Sequence, residues 1–143
     1  MTMIQKTRGF TLIELIIAIT IVLILAALAI PNYRGHVLRS NRSDAMAALL
    51  HVGAAQEKFY LQNNTYTNDL GATGLNVGTH SPNEQYDVTV TGANANGFVA
   101  TATPPDPGQG QGLDSECTSF SVDQQGNKTA TGSGSNPSAH CWR

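Results

Sequence analysis

The chain has 143 residues, 41% hydrophobic and 13% charged, enough for one ordinary domain plus a membrane-length segment but not for two globular domains. Its formal net charge is −2, and without Lys6 and Arg8, which precede the main apolar run, six basic residues face ten acidic ones. That balance excludes a general nucleic-acid binder, a class that depends on neutralising phosphates, so a DNA contact would need a local patch.

The strongest hydrophobicity lies between Phe10 and Ile30, where only Thr11, Glu14 and Thr20 interrupt an aliphatic series. A run of about 20 such residues is the length of helix that crosses a bilayer. Lys6 and Arg8 ahead of it favour a cytoplasmic N-terminus, with the rest of the chain sent across. Two ordinary alternatives are an export signal cut near Ala26-Ala27-Leu28-Ala29 and a plain single-span anchor. Neither accounts for Glu14, since a carboxylate in hydrocarbon is unfavourable by about 3 kcal/mol near the centre and by less near an interface.

"RGFTLIEL", from Arg8 to Leu15, resembles the type IV pilin and pseudopilin signature. The resemblance implies that prepilin peptidase cuts between Gly9 and Phe10, that Phe10 is then N-methylated, and that the apolar helix stays on the mature protein. The cut would place a new α-amine at Phe10, one helical turn from Glu14. Glu14 gains from the positive end of the helix dipole. In a bundle of such helices its carboxylate also meets the amine of a staggered neighbour, because lone charges in an apolar bundle are penalised unless they pair. Phe10 and Glu14 are therefore expected to set register during assembly. Pro31 ends the apolar run and Gly35 follows, so the helix is expected to break or bend there. The resemblance gives Pro31 an assembly role through a curved or melted helix in the filament.

From Val37 onward Leu38, Ala45, Ala48, Leu49, Val52, Ala55 and Phe59 recur near a 3.6-residue period, which predicts a helix with one buried face. Arg34, Arg39, Arg42, Asp44, Glu57 and Lys58 fall on other faces and read as solvated or intersubunit charges. A phosphate contact by Arg39 and Arg42 is the minor alternative. The helix is expected to end near Gln62, and the Asn63 to Gly74 stretch is turn-rich, with Tyr60 and Tyr66 bracing it or covering a sheet. Alternating segments at 86–91 and 97–104 predict one hairpin, and those at 118–123 and 128–132 a second.

The expected division is thus a cleaved leader over residues 1–9, an apolar membrane and filament-core helix over 10–31, an amphipathic helix over 32–62 and a polar head over 63–143. The fold class is α+β, a long helix packed on about four antiparallel strands, as the resemblance to pilins also implies. The tail after Gly132 has little core-forming ability. Cys117 and Cys141 would tether it through a disulfide if the head is exported; two reduced thiols are the alternative. The resemblance also implies a cysteine pair enclosing the last loop, and the closing Cys141-Trp142 is similar to small type IVa pilins.

His36, His51, His80 and His140 are scattered, with no partner at catalytic or metal spacing. No enzyme activity and no cofactor are expected. Asp106, Asp114 and Glu116 share a Gly-rich loop and are weak calcium candidates whose spacing differs from the helix-loop-helix calcium motif; a solvated loop is the expectation. The reading is a structural subunit of a type IV pilus, first as a minor pilin, with a major pilin or a type II secretion pseudopilin as alternatives. The resemblance implies a precursor in the bacterial inner membrane, its N-terminus cytoplasmic and its head periplasmic, and then an extracellular pilus. Implied partners are other pilin subunits, prepilin peptidase and the inner-membrane assembly platform. Nucleic acid is not expected, and a DNA-capturing pilin is the competing class.

Overall fold

The computed structural model describes residues 9–143, so Lys6, Arg8 and the rest of the expected leader before Gly9 lie outside the described residues. The chain divides into two units, Met1–His36 and Val37–Arg143. One helix, α1 (Leu12–Asn63), contributes to both.

Thr11 precedes the first helical residue, and its hydroxyl accepts a hydrogen bond from the Glu14 backbone N–H at 3.3 Å. A threonine followed three residues later by glutamate is the capping-box arrangement, which satisfies a helix N–H that would otherwise have no partner. That bond is made by the Glu14 backbone, whereas its expected role in assembly belongs to its carboxylate. The large apolar side chains of this stretch are exposed, from Leu12 at 76% to Ile30 at 56%. The helical assignment runs through position 31 without the expected break. α1 ends where Asn64 adopts a positive φ of 54° and returns its N–H to the Tyr60 carbonyl at 2.8 Å, a left-handed cap that asparagine tolerates.

In the second unit four strands, β1 (Asp87–Asn94), β2 (Gly97–Thr103), β3 (Ser119–Asp123) and β4 (Lys128–Thr131), form one sheet in chain order, each antiparallel to the next. The fold is the expected α+β arrangement of a long helix and four antiparallel strands. Alternation explains the sheet: Val88, Val90, Phe98, Ala100, Ala102, Phe120 and Val122 point to the buried face, and the residues between them face outward. Ala45, Ala48, Leu49 and Val52 of α1 join the same core. Small alanines on both helix and sheet let the two layers approach closely. Tyr86 and Phe120 meet edge to face at 5.7 Å, as do Phe120 and Trp142 at 5.8 Å.

A short helix α2 (Pro137–Cys141) closes the chain, capped by the Asn136 side chain accepting from the Ala139 N–H. It gives the tail more order than its composition predicts. Cys117 and Cys141 form a disulfide, both sulfurs in the core. Gly132 is required where the strap toward α2 passes the 116–117 backbone, since a Cβ there would lie 1.9 Å from the Glu116 carbonyl oxygen. The bridge closes a loop with a sequence separation of 24 residues, which the chain-entropy relation equates to about 3 kcal/mol. Replacing both cysteines by serine is expected to lower the head's unfolding free energy by about that amount, measured by urea denaturation. An unchanged midpoint would show that the remaining contacts already confine the loop.

Candidate functional site

The residues expected to serve processing and assembly sit at the start of the described chain. Phe10 is 83% exposed, Gly9 has open space around its α-carbon, and Glu14 is exposed one turn into α1. The stem that follows is apolar on every side, and α1 is long and apolar enough to cross a membrane. In water that surface has no stable place; lipid or other stems must cover it.

The head carries a second feature of α1. Gln56, fully buried, donates to the Thr67 carbonyl at 2.6 Å and accepts from the Thr67 N–H at 3.1 Å, fastening the helix to the loop that follows it. Tyr66 stacks on Tyr60 at 4.6 Å and leans on Phe98 at 4.9 Å, so these tyrosines both brace the connection and cover the sheet. On the side away from the core, Ala47, Leu50, Ala54 and Leu61 are exposed, with Leu61 at 83%. Spaced at helical intervals, they make an apolar stripe.

At the opposite flank of the core stripe lies the main polar cluster. Arg42, only 6% exposed, donates Nε and Nη2 to the two oxygens of Asp114 at 2.7 and 2.8 Å, and Nη2 also to Glu116 at 2.7 Å. His140 lies 3.3 Å from that same Glu116 oxygen and 3.4 Å from Arg42. The expectation that Arg42 and Asp44 are solvated or intersubunit charges is thereby corrected: both are buried. The Asp44 carboxylate accepts from the Ser81 hydroxyl and from the Asn83 backbone and side-chain nitrogens. The 106–116 loop is likewise less solvated than expected, since Asp114 is 4% exposed and Gln111 3%. It turns through a short 3₁₀ segment, Gly110–Leu113.

This geometry bears on the calcium candidates. Asp114 and Glu116 are brought together, but around a guanidinium, while Asp106 accepts from the Gly108 N–H within its own turn at 2.8 Å. Among the described residues no group of three or more His, Cys, Asp and Glu side chains is arranged for a metal ion. The Arg42 guanidinium, with His140 second, holds the Glu116 carboxyl below its usual range, and Asp114 holds Arg42 above its own. Burial pushes the Tyr86 phenol up to about 12, and its oxygen takes a hydrogen bond from Gln111 at 2.8 Å.

Removing one partner of a buried ion pair leaves the other charged and unpaired, at about 3 kcal/mol. Arg42→Met is expected to lower head stability by about that amount, and Arg42→Lys by less because lysine cannot form the two-pronged pair. A Glu116 pKa depressed in the folded state contributes stability present above the ordinary carboxylate range and lost as pH falls through the depressed value. Glu116→Gln should therefore flatten the acid side of the stability curve. Urea midpoints at neutral and acid pH check both; identical curves for wild type and variants would refute the clamp.

Comparison with known proteins agrees with this architecture. Residues 4–30 match the prokaryotic N-terminal methylation motif, and residues 31–121 match the family described as type IV minor pilin ComP, DNA uptake sequence receptor. The type IV wide pilus major component PilA4 of Thermus thermophilus is 35% identical over 94 residues, covering 66% of this chain and 71% of PilA4. Fimbrial protein EcpC of Eikenella corrodens is 36% identical over 95 residues, 66% of this chain and 61% of EcpC. The type II secretion system core protein G of Klebsiella pneumoniae is 33% identical over 72 residues, 50% of this chain and 51% of its own. Among solved structures, the non-core minor pilin PilV of Neisseria meningitidis shares the fold at a TM-score of 0.52 and 20% identity, covering 71% of this chain and 93% of PilV. A methylation motif followed by a minor-pilin head, on a stem that needs covering, defines a type IV pilin, and the chain belongs to the family of the type IV minor pilin ComP.

Proposed function

We propose that this chain is a minor subunit of a type IV pilus, held in the inner membrane by its stem with the head periplasmic and then drawn into the filament. Prepilin peptidase cuts between Gly9 and Phe10 and methylates Phe10, and the inner-membrane platform inserts the mature subunit. The exposed stem is the observation that carries the reading: its apolar surface fits lipid first and neighbouring stems afterwards. Glu14 pairs with the Phe10 amine of a neighbour, and Pro31 marks where the helix yields on assembly. The Ala47, Leu50, Ala54 and Leu61 stripe gives the head an apolar surface of its own for packing on neighbours. A leader over residues 1–9, stem over 10–31, amphipathic half over 32–62 and head over 63–143 is the corresponding division. The role is structural, without catalysis.

The description of the family as a DNA uptake sequence receptor favours a second reading in which the subunit also captures DNA. One local patch suits it. Lys128 lies 5.2 Å from the centre of the Trp142 ring, and His140 and Arg143 line a polar groove with Ser133, Asn136 and the Glu116 carboxylate, which Arg42 already engages. A cation beside an aromatic face is the arrangement that meets phosphate and base together.

Gly9→Leu should leave the leader uncut, and methylated Phe10 in that variant would refute the site. Glu14→Ala should be cut normally yet enter sheared filaments more than about tenfold less, because an unpaired amine in an apolar bundle is unfavourable by about 3 kcal/mol; normal incorporation would remove the register role. For DNA, Lys128→Gln and Arg143→Gln should each weaken low-salt duplex binding by the full-length protein in detergent and reduce the salt slope by about one. Absence of binding at low salt would end that second reading and leave the pilus subunit untouched.

A further inference from the structure

Asp44, Ala48 and His51 follow one another on α1 at intervals of four and three residues, which places them on one face of the helix. The buried Asp44 carboxylate accepts from the Ser81 hydroxyl and from Asn83, so it pins the segment ahead of β1 to α1. The same segment is fastened to the edge of β1, where the Ser81 N–H meets the Tyr86 carbonyl at 2.8 Å and the Val88 N–H meets the Thr79 carbonyl at 2.7 Å. Next to this double attachment the small Ala48 side chain leaves space. A cavity of about 250 Å³ opens there, with Val52, Val77 and Val88 among its apolar walls.

Two histidines that are scattered in the sequence line this one cavity, His51 from α1 and His80 from the segment ahead of β1. Asp87 Oδ1 lies 2.7 Å from His80 Nδ1. A carboxylate on one ring nitrogen fixes the ring and its tautomer and leaves Nε2 for a ligand, the arrangement that metal-bound histidines use. His51 has no hydrogen-bond or ion-pair partner among the described residues. The cavity thus joins one pre-oriented imidazole to one uncommitted imidazole within an apolar lining.

We propose that His51 and His80 bind a divalent transition-metal ion across this cavity. Imidazole nitrogen suits zinc, nickel and copper, whereas calcium and magnesium take oxygen ligands, and no Asp or Glu lines the cavity. Among the described residues no third His, Cys, Asp or Glu side chain completes a group around an ion, so the remaining coordination positions are open to water or to a ligand from outside the head. The unfolded chain has no such pair held together, so a bound ion stabilises the folded head. It ties α1 to the segment ahead of β1 one step beyond the Asp44 attachment. The site stands apart from the pilin reading and does not depend on it.

The test titrates the untagged full-length protein in detergent with copper(II) and, separately, with zinc. Electron paramagnetic resonance of the copper form counts the coordinating ring nitrogens: two are expected in the wild type and one in His51→Gln or His80→Gln. Zinc should raise the urea midpoint of the wild type and leave those of both variants where they are. Without metal the three midpoints should coincide, because both histidines are exposed and neither exchange touches the core. Asp87→Asn should keep both nitrogens in the copper spectrum but weaken zinc binding about tenfold, the scale for losing a group that orients a ligand. His36→Gln and His140→Gln should leave spectrum and affinity unchanged. Two nitrogens that persist in His51→Gln, or binding lost only with His36 or His140, would show an adventitious ion only and overturn the site. Absence of binding by either ion at millimolar concentration would overturn it equally, and every one of these outcomes leaves the pilin reading intact.

Discussion

The ion pair between Arg42 and Asp114 fixes most of what is distinctive in the head. It joins α1 to the connection between β2 and β3, a segment without regular strand or core side chains of its own beyond a short 3₁₀ turn. From that anchored segment the chain passes directly to Glu116, which shares the guanidinium, and to Cys117, which holds α2. Buried charge pairs rarely add net stability over a well-packed apolar alternative, but they are intolerant of losing one member and impose one arrangement. Here the arrangement imposed is the path of a loop that hydrophobicity alone would leave undetermined.

α1 works in two surroundings with two kinds of sequence. Up to Ile30 its side chains are apolar in every direction, so no single face is preferred and the helix accepts lipid or stems on all sides. Past Val37 the pattern becomes directional: Ala45, Ala48, Leu49 and Val52 are committed to the sheet, while Ala47, Leu50, Ala54 and Leu61 face outward among exposed polar residues such as Glu57 and Lys58. Thr11 and Glu14 begin the element with a cap. A carboxylate that costs energy in hydrocarbon is placed where the first helix N–H groups and the positive dipole end offset part of that cost.

What was legible in the sequence followed from periodicity. The alternating strand segments, the 3.6-residue face of α1 and the pilin-like start all appear in the fold, because each is decided by residues near one another in the chain. The polar interior was not legible. Arg42 and Asp44 at helical positions look like surface charges until Asp114 and Ser81 are known to stand opposite, and those partners lie 72 and 37 residues away. Gln56 gave no hydrophobic signal, yet its amide matches the Thr67 peptide group atom for atom. The capping box was readable in Thr11-Leu12-Ile13-Glu14 as a local motif. Net charge is a whole-chain quantity and carries no information on local pairings such as Lys128 beside the Trp142 ring.

The head has a modest core, and its two principal ties respond to different conditions. The disulfide between Cys117 and Cys141 depends on an oxidising compartment, whereas the Arg42 clamp needs only ionised carboxylates. Their chain positions make them cooperative: Asp114 and Glu116 approach Arg42 from the residues just before Cys117, and His140 approaches from the residue just before Cys141. The clamp therefore holds the segments that carry the two sulfurs close together, and the disulfide in turn holds Glu116 and His140 at the guanidinium. Each tie reduces the chain entropy that the other must overcome, so a short polar tail unable to build a core acquires a fixed place beside one.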